Sequence, residues 1–178
     1  TESIEHIGRL KGVRVMDVIP SDPIFEYRNK MEFSCSSQRW LMLEELEDET
    51  IKKGFGIGLH VPGTFDKVID IKQCEIMPAM GNEILEDVRT FIKESGLPAY
   101  NLKSHEGFWR FLMLRHSVAH DQWMVNIVTR DKNIEVVSRL GKLLAKKYPM
   151  FILSIQKLSK SNTCMNVWPI TCILPSVI

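Results

Sequence analysis

Apolar residues recur at helical spacing in two stretches of the chain. Over 82–95, Ile84, Leu85, Val88, Phe91 and Ile92 fall on one side of a helical repeat, which predicts an amphipathic helix with that stripe against a core. Asn82 stands where a cap would start it, and Gly96 with Pro98 stops it. Over 132–147, Val136, Val137, Leu140, Leu143 and Leu144 make a second stripe, opposed by Arg139, Lys142, Lys146 and Lys147, and Pro149 ends the pattern. Between these helices, 110–117 and 123–129 are apolar runs of strand length, joined by a short polar turn containing Asp121. They read as a hairpin. Residues 67–71 supply a strand before the first helix, and 150–155 one after the second.

The resulting order is strand, helix, strand, strand, helix, strand. That is the split, ferredoxin-like βαββαβ core, with two helices on one face of an antiparallel sheet, so the expected class is α+β. Two longer strands, 27–35 and 54–61, flank an acidic loop and are expected to extend the sheet from its N-terminal side. Residues 1–10 predict a short entering helix, and 163–178 a final extended segment. No repeat or flexible linker divides the chain, so 1–178 is expected to be a single domain. It starts without Met inside a helical pattern and stops at LPSVI, and both ends read as cuts in a longer protein.

Composition narrows the partners. With 23 Lys and Arg against 22 Asp and Glu, bulk charge selects neither nucleic acid nor lipid, and only local clusters can. No apolar run is long enough to span a bilayer and the N-terminus lacks a signal pattern, so no membrane partner is expected and the location is read as cytoplasmic. Cys35, Cys74, Cys164 and Cys172 show no CxxC spacing, which fits a reducing compartment. Locally, 130–160 carries an excess of six positive charges, while 41–51 carries five acids and no base. The basic segment offers either a face for phosphate or a solvated helix surface.

The stretch 53–60 lacks the third glycine and the following helix of a dinucleotide loop. It also lacks the later aromatics of an RNA-recognition-motif strand, so its glycines read as sites of close backbone approach. His116 and His120 are four apart but on a strand end and turn, which makes a poor metal pair. Asp66 and Asp70 read as solvated strand carboxylates. Neither a nucleophile elbow nor a P-loop is present.

Three segments taken together, YRNKMEFS (27–34), GFGIGLHVPGTFDKVIDIKQCEIM (54–77) and RFLMLRHS with WMVNIVT (110–129), resemble the central domain of the S-adenosylmethionine-dependent RNA uracil-C5 methyltransferases, most closely the type that makes 5-methyluridine in 23S rRNA. The resemblance implies a longer parent, with a β-barrel and a cysteine cluster upstream and a Rossmann-like catalytic domain downstream. It implies that Cys74 is the fourth ligand of a four-iron, four-sulfur cluster whose other ligands lie outside this chain. The nucleophilic cysteine, the base and the S-adenosylmethionine loop belong to the absent catalytic domain, so this chain alone is expected to be inert and to hold no cofactor.

By the same resemblance, Arg28, Lys30, Arg115 and His116 face RNA, ribosomal rather than transfer. The other reading is that Arg28 and Arg115 brace the sheet against carboxylates such as Asp66. A free-standing ferredoxin-like module binding RNA or protein is the rival to the fragment, and an exposed apolar patch separates them, because only a severed domain should show one.

Overall fold

The stripe at 84–92 lies in α2 (Ala79–Glu94) and the stripe at 136–144 in α3 (Ile134–Lys147). The computed structural model describes residues 2–157 and 171–173. Its strands are β1 (Lys30–Ser36), β2 (Gly56–His60), β3 (Val68–Asp70), β4 (Trp109–Ser117), β5 (Gln122–Thr129), β6 (Phe151–Lys157) and β7 (Thr171–Ile173), and a short α1 spans Leu43–Leu46. Among the described residues they form one sheet in the order β3-β2-β1-β4-β5-β6-β7. The first five are antiparallel, and β6 joins parallel to β5. The α+β class holds.

The ferredoxin-like order does not. A split βαβ would leave a strand between the two ends of each crossover, yet β5 and β6, which α3 connects, are direct neighbours. The strand before α2 also ends up at the sheet edge, because β1 occupies the side of β4 through the register Lys30↔Arg115 to Ser34↔Phe111. The two early strands are therefore interior to the sheet rather than an extension of it. The entering helix shrinks to one turn at Ser3–Ile7 with no buried residue. Of the final segment, only 171–173 lies within the described residues.

Alternation along the strands gives the sheet two different faces. Met31, Phe33 and Cys35 of β1 share one face with Ile57, Leu112, Leu114, Trp123, Val125 and Ile127, all buried. The stripes of α2 and α3 cover this face, each fully buried aliphatic or aromatic side chain contributing about 1.5–3 kcal/mol. A Cβ at Gly81 would stand 2.9 Å from the Trp123 ring, so the missing side chain lets α2 settle onto β5. The helices are clasped by Tyr148, whose hydroxyl donates to Asp87 at 2.7 Å, and by Lys147 at 2.9 Å from the same carboxylate.

Two local expectations change. α2 starts earlier, after Pro78, and Asn82 instead accepts from the Cys74 amide at 2.9 Å and donates to its carbonyl at 3.2 Å. Asp70 is not solvated. Its side chain is 7% exposed and pairs with Arg89, which is fully buried and also bonds the Ile71 carbonyl and Glu86. This ion pair anchors α2 to the edge strand. The glycine reading of β2 holds, because a Cβ on Gly58 would collide with the Ile69 carbonyl and stand 2.8 Å from the Ile71 nitrogen.

Candidate functional site

Among the described residues, neither α2 nor α3 covers the other sheet face. Lys30, Glu32 and Ser34 of β1 alternate outward beside Arg115, Met113 and Phe111 of β4, and Met124 and Asn126 of β5 continue the surface. Lys30 and Arg115 are exposed and directly paired in register. Arg28 joins them, its Nε donating to the Lys30 carbonyl at 3.2 Å. Three of the expected RNA contacts therefore gather at one end of this face. Asp66 pairs with Lys103 at 2.9 Å rather than with either arginine.

His116 is not among them. It lies on the helix-covered side, stacked on Trp123 with ring centroids 4.6 Å apart, and its Nε2 is 3.0 Å from Asp121. Cys74 is buried with its backbone clamped by Asn82, and among the described residues no group of three or more His, Cys, Asp and Glu converges on a metal position. A lone thiol does not fit a cluster that takes four ligands.

At the opposite end of the bare face, three loops rise around Ser34, Phe111 and His60 to enclose a cleft of about 390 Å³. The first loop is tied down by the Arg39 amide donating to the Gly54 carbonyl at 2.9 Å and the Trp40 amide to the Val68 carbonyl at 2.7 Å. Arg39 forms a two-pronged pair with Glu45 at 2.7 and 2.8 Å. That hydrogen-bonded pair, aided by the Met42 amide, pulls the Glu45 carboxyl down to about 2. One of the five acids of 41–51 is thus half-buried and paired, holding Arg39.

The cleft interleaves aromatic rings with cations. Lys67 sits 4.0 Å over the Trp40 ring and Lys53 5.8 Å from it. The Arg110 guanidinium lies 4.1 Å over Tyr100 and 5.6 Å from Phe111, distances at which cation–π attraction operates. Five basic residues line the cleft against one carboxylate, Asp66, so its field attracts anions. Arg110 owes its position to a bulge. The β4–β5 register shifts between Trp109 and Phe111, which lets Trp109 point inward, its Nε1 donating to Ser95 at 3.1 Å, while Phe111 points outward with Arg110 as the extra residue.

None of Trp40, Lys53, His60, Lys67, Tyr100 or Arg110 stands out in the sequence, because they come from separate segments. The available signal was the adjacency of aromatic and basic residues in Arg39-Trp40 and Trp109-Arg110-Phe111. The basic run at 130–160 instead supplies α3, on the far side of the sheet from the cleft.

No family model matches the chain. It is 44% identical over 151 residues to an uncharacterized RNA methyltransferase of Chlorobaculum tepidum, covering 84% of this chain and 31% of that protein. It is 32% identical over 127 residues to the tRNA (uracil(54)-C(5))-methyltransferase of Pyrococcus horikoshii, covering 71% of this chain and 27% of that protein. The fold resembles the crystal structure of the Pyrococcus abyssi tRNA (uracil-54, C5)-methyltransferase in complex with S-adenosyl-L-homocysteine, with TM-score 0.59, 22% identity, and coverage of 87% of this chain and 32% of that one. The chain thus spans about a third of the length of the proteins it matches.

Proposed function

We propose that this chain is the RNA-docking portion of a longer RNA methyltransferase that acts on carbon 5 of uracil. The bare sheet face, with Arg28, Lys30 and Arg115 grouped at one end and the basic cleft at the other, is the observation that carries the RNA half of this reading. Cations on a rigid sheet set the register of a phosphate backbone without reading sequence. The methyl group would come from S-adenosylmethionine held by residues beyond this chain, as would the nucleophile and the base. The residues here bind and orient the RNA. We extend the proposal to ribosomal RNA on the resemblance of residues 27–34, 54–77 and 110–129 to that branch.

The docking half rests on an apolar run without cover. Met16, Val18, Ile19, Ile24 and Phe25 are exposed, Val18 and Ile19 at more than nine-tenths. Such a run favours a surface that meets another domain over a free-standing module.

The RNA half is tested by titrating the chain into a fluorescein-labelled single-stranded RNA and following anisotropy across a salt series. Binding should be weak and steeply salt-dependent, and the Lys30→Glu/Arg115→Glu pair should lose roughly tenfold or more in affinity. The pair should also flatten the log–log salt slope by about 1.4, two contacts at about 0.7 each. Tight binding that persists in high salt, or an unaltered slope in the variant, would rule the reading out.

A further inference from the structure

Among the groups lining the cleft, two buried polar atoms have no hydrogen-bond partner among the described residues, Nδ1 of His60 and Nε of Arg110. Buried polar groups are almost always paired; these two nitrogens are shielded from solvent, so a ligand in the cleft completes their bonding only through a small shift of each side chain. The His60 ring is held in place, because its other nitrogen is 2.8 Å from the Ser34 hydroxyl. The Arg110 guanidinium is held as well, lying over the Tyr100 ring on a bulge that nothing in the sheet pairing requires. Both side chains are thus held at the cleft before any ligand arrives.

The size and surroundings of the cleft define what fits. A volume of about 390 Å³ is at the small-molecule end of binding sites and admits one nucleotide, not a duplex. Phe65 at the rim is 73% exposed and Trp40 is 37% exposed, and flat rings of this kind are what an unstacked base settles on. Lys53, Lys67 and Lys103 surround the rings with positive charge, suited to the phosphate on either side of such a base. Stacking ring, fixed edge readers and flanking cations together are how proteins hold bases splayed out of single-stranded RNA.

We propose that the cleft captures one unstacked nucleotide of the bound RNA, stacked at Phe65 and Trp40, with its base edge read by Arg110 and His60. This rests on the reading of the chain as an RNA-docking portion and adds to it a preference for single strands. The captured nucleotide anchors the strand on a part of the protein that performs no chemistry.

Anisotropy with one labelled RNA strand, alone and annealed to its complement, tests this. The variants are Phe65→Ala, whose side chain is already in solvent and costs the fold little, His60→Asn, and Lys30→Glu/Arg115→Glu. The native chain should bind the single strand more tightly than the duplex. Phe65→Ala should weaken single-strand binding roughly tenfold and leave duplex binding unchanged, and His60→Asn should act in the same direction. The Lys30/Arg115 pair should weaken both. If Phe65→Ala and His60→Asn leave single-strand binding unchanged while the Lys30/Arg115 pair reduces it, the cleft proposal is overturned and the docking function stands. If the native chain binds neither RNA at low salt, both fall together.

Discussion

The two faces of the sheet are made from the same strands and differ in almost every physical respect. On the helix-covered side Asp70 meets Arg89 and Trp109 meets Ser95, and among the described residues His116 Nδ1 is the buried atom left unpaired there. On the bare face, at the cleft, His60 and Arg110 keep buried atoms unmatched, and Lys30 and Arg115 pair in register though both are cations. Like charges placed opposite one another cost stability, as do unpaired buried donors. The contrast shows where folding free energy resides and where some of it is given up for binding.

Breaking that division should begin with the covered face. Phe33 is completely buried between β4 and the helices, so Phe33→Ala should cost about 3–5 kcal/mol, read from urea unfolding. A loss below about 1 kcal/mol would mean that this face is not the core. Next comes Arg89→Ala, which strands the Asp70 carboxylate in the interior. Asp70 keeps the Ile57 amide at 3.0 Å and Lys72 at 3.3 Å, so the loss should sit near the lower end of the range for a broken buried pair, about 3 kcal/mol. Arg89→Met combined with Asp70→Leu should recover most of it, and no recovery would mean that the hydrogen bonds to the Ile71 carbonyl and from the Ile57 amide, which the apolar pair cannot make, carry the loss. By contrast, Lys30→Glu/Arg115→Glu should move stability by no more than about 0.5 kcal/mol while RNA affinity falls.

The smallest effect sharpens the comparison at the rim of the cleft. Glu45 has its folded value depressed from 4.5 to about 2 by Arg39. The pair therefore contributes fully above the unfolded value and is lost as pH falls through about 2. An NMR titration should show the Glu45 carboxyl still ionised at pH 3.5 in the native chain. In Arg39→Ala it should titrate closer to the ordinary carboxylate value, the Met42 amide still holding it below.

Periodicity made most of the covered face legible, because α2, α3 and the β4–β5 hairpin are built from local contacts that repeat along the chain. The sheet order was not legible. It depends on which strand edge β1 occupies, and that is decided by contacts between residues 30–34 and 111–115, about which alternation says nothing. Asn82 was misread because Pro78 starts the helix earlier and frees that side chain to clamp Cys74. On the bare face, Lys30 and Arg115 were visible as strand cations. The cleft was not, since its charge is gathered from positions 39, 53, 67, 103 and 110, whereas the densest basic run in the sequence became the outside of a helix.

The bulge at Arg110 has a consequence for how this strand tolerates change in length. On either side of it the alternation is already in phase, with Trp109 inward and Phe111 outward. Removing Arg110 outright would join two segments that agree, leaving a regular ladder with every neighbour on its present face. Removing Leu112 would put the residues on one side of the gap on the wrong face. Arg110 is a supernumerary residue: the β4–β5 ladder is complete without it, and on the proposed reading its place is accounted for by what the cleft holds.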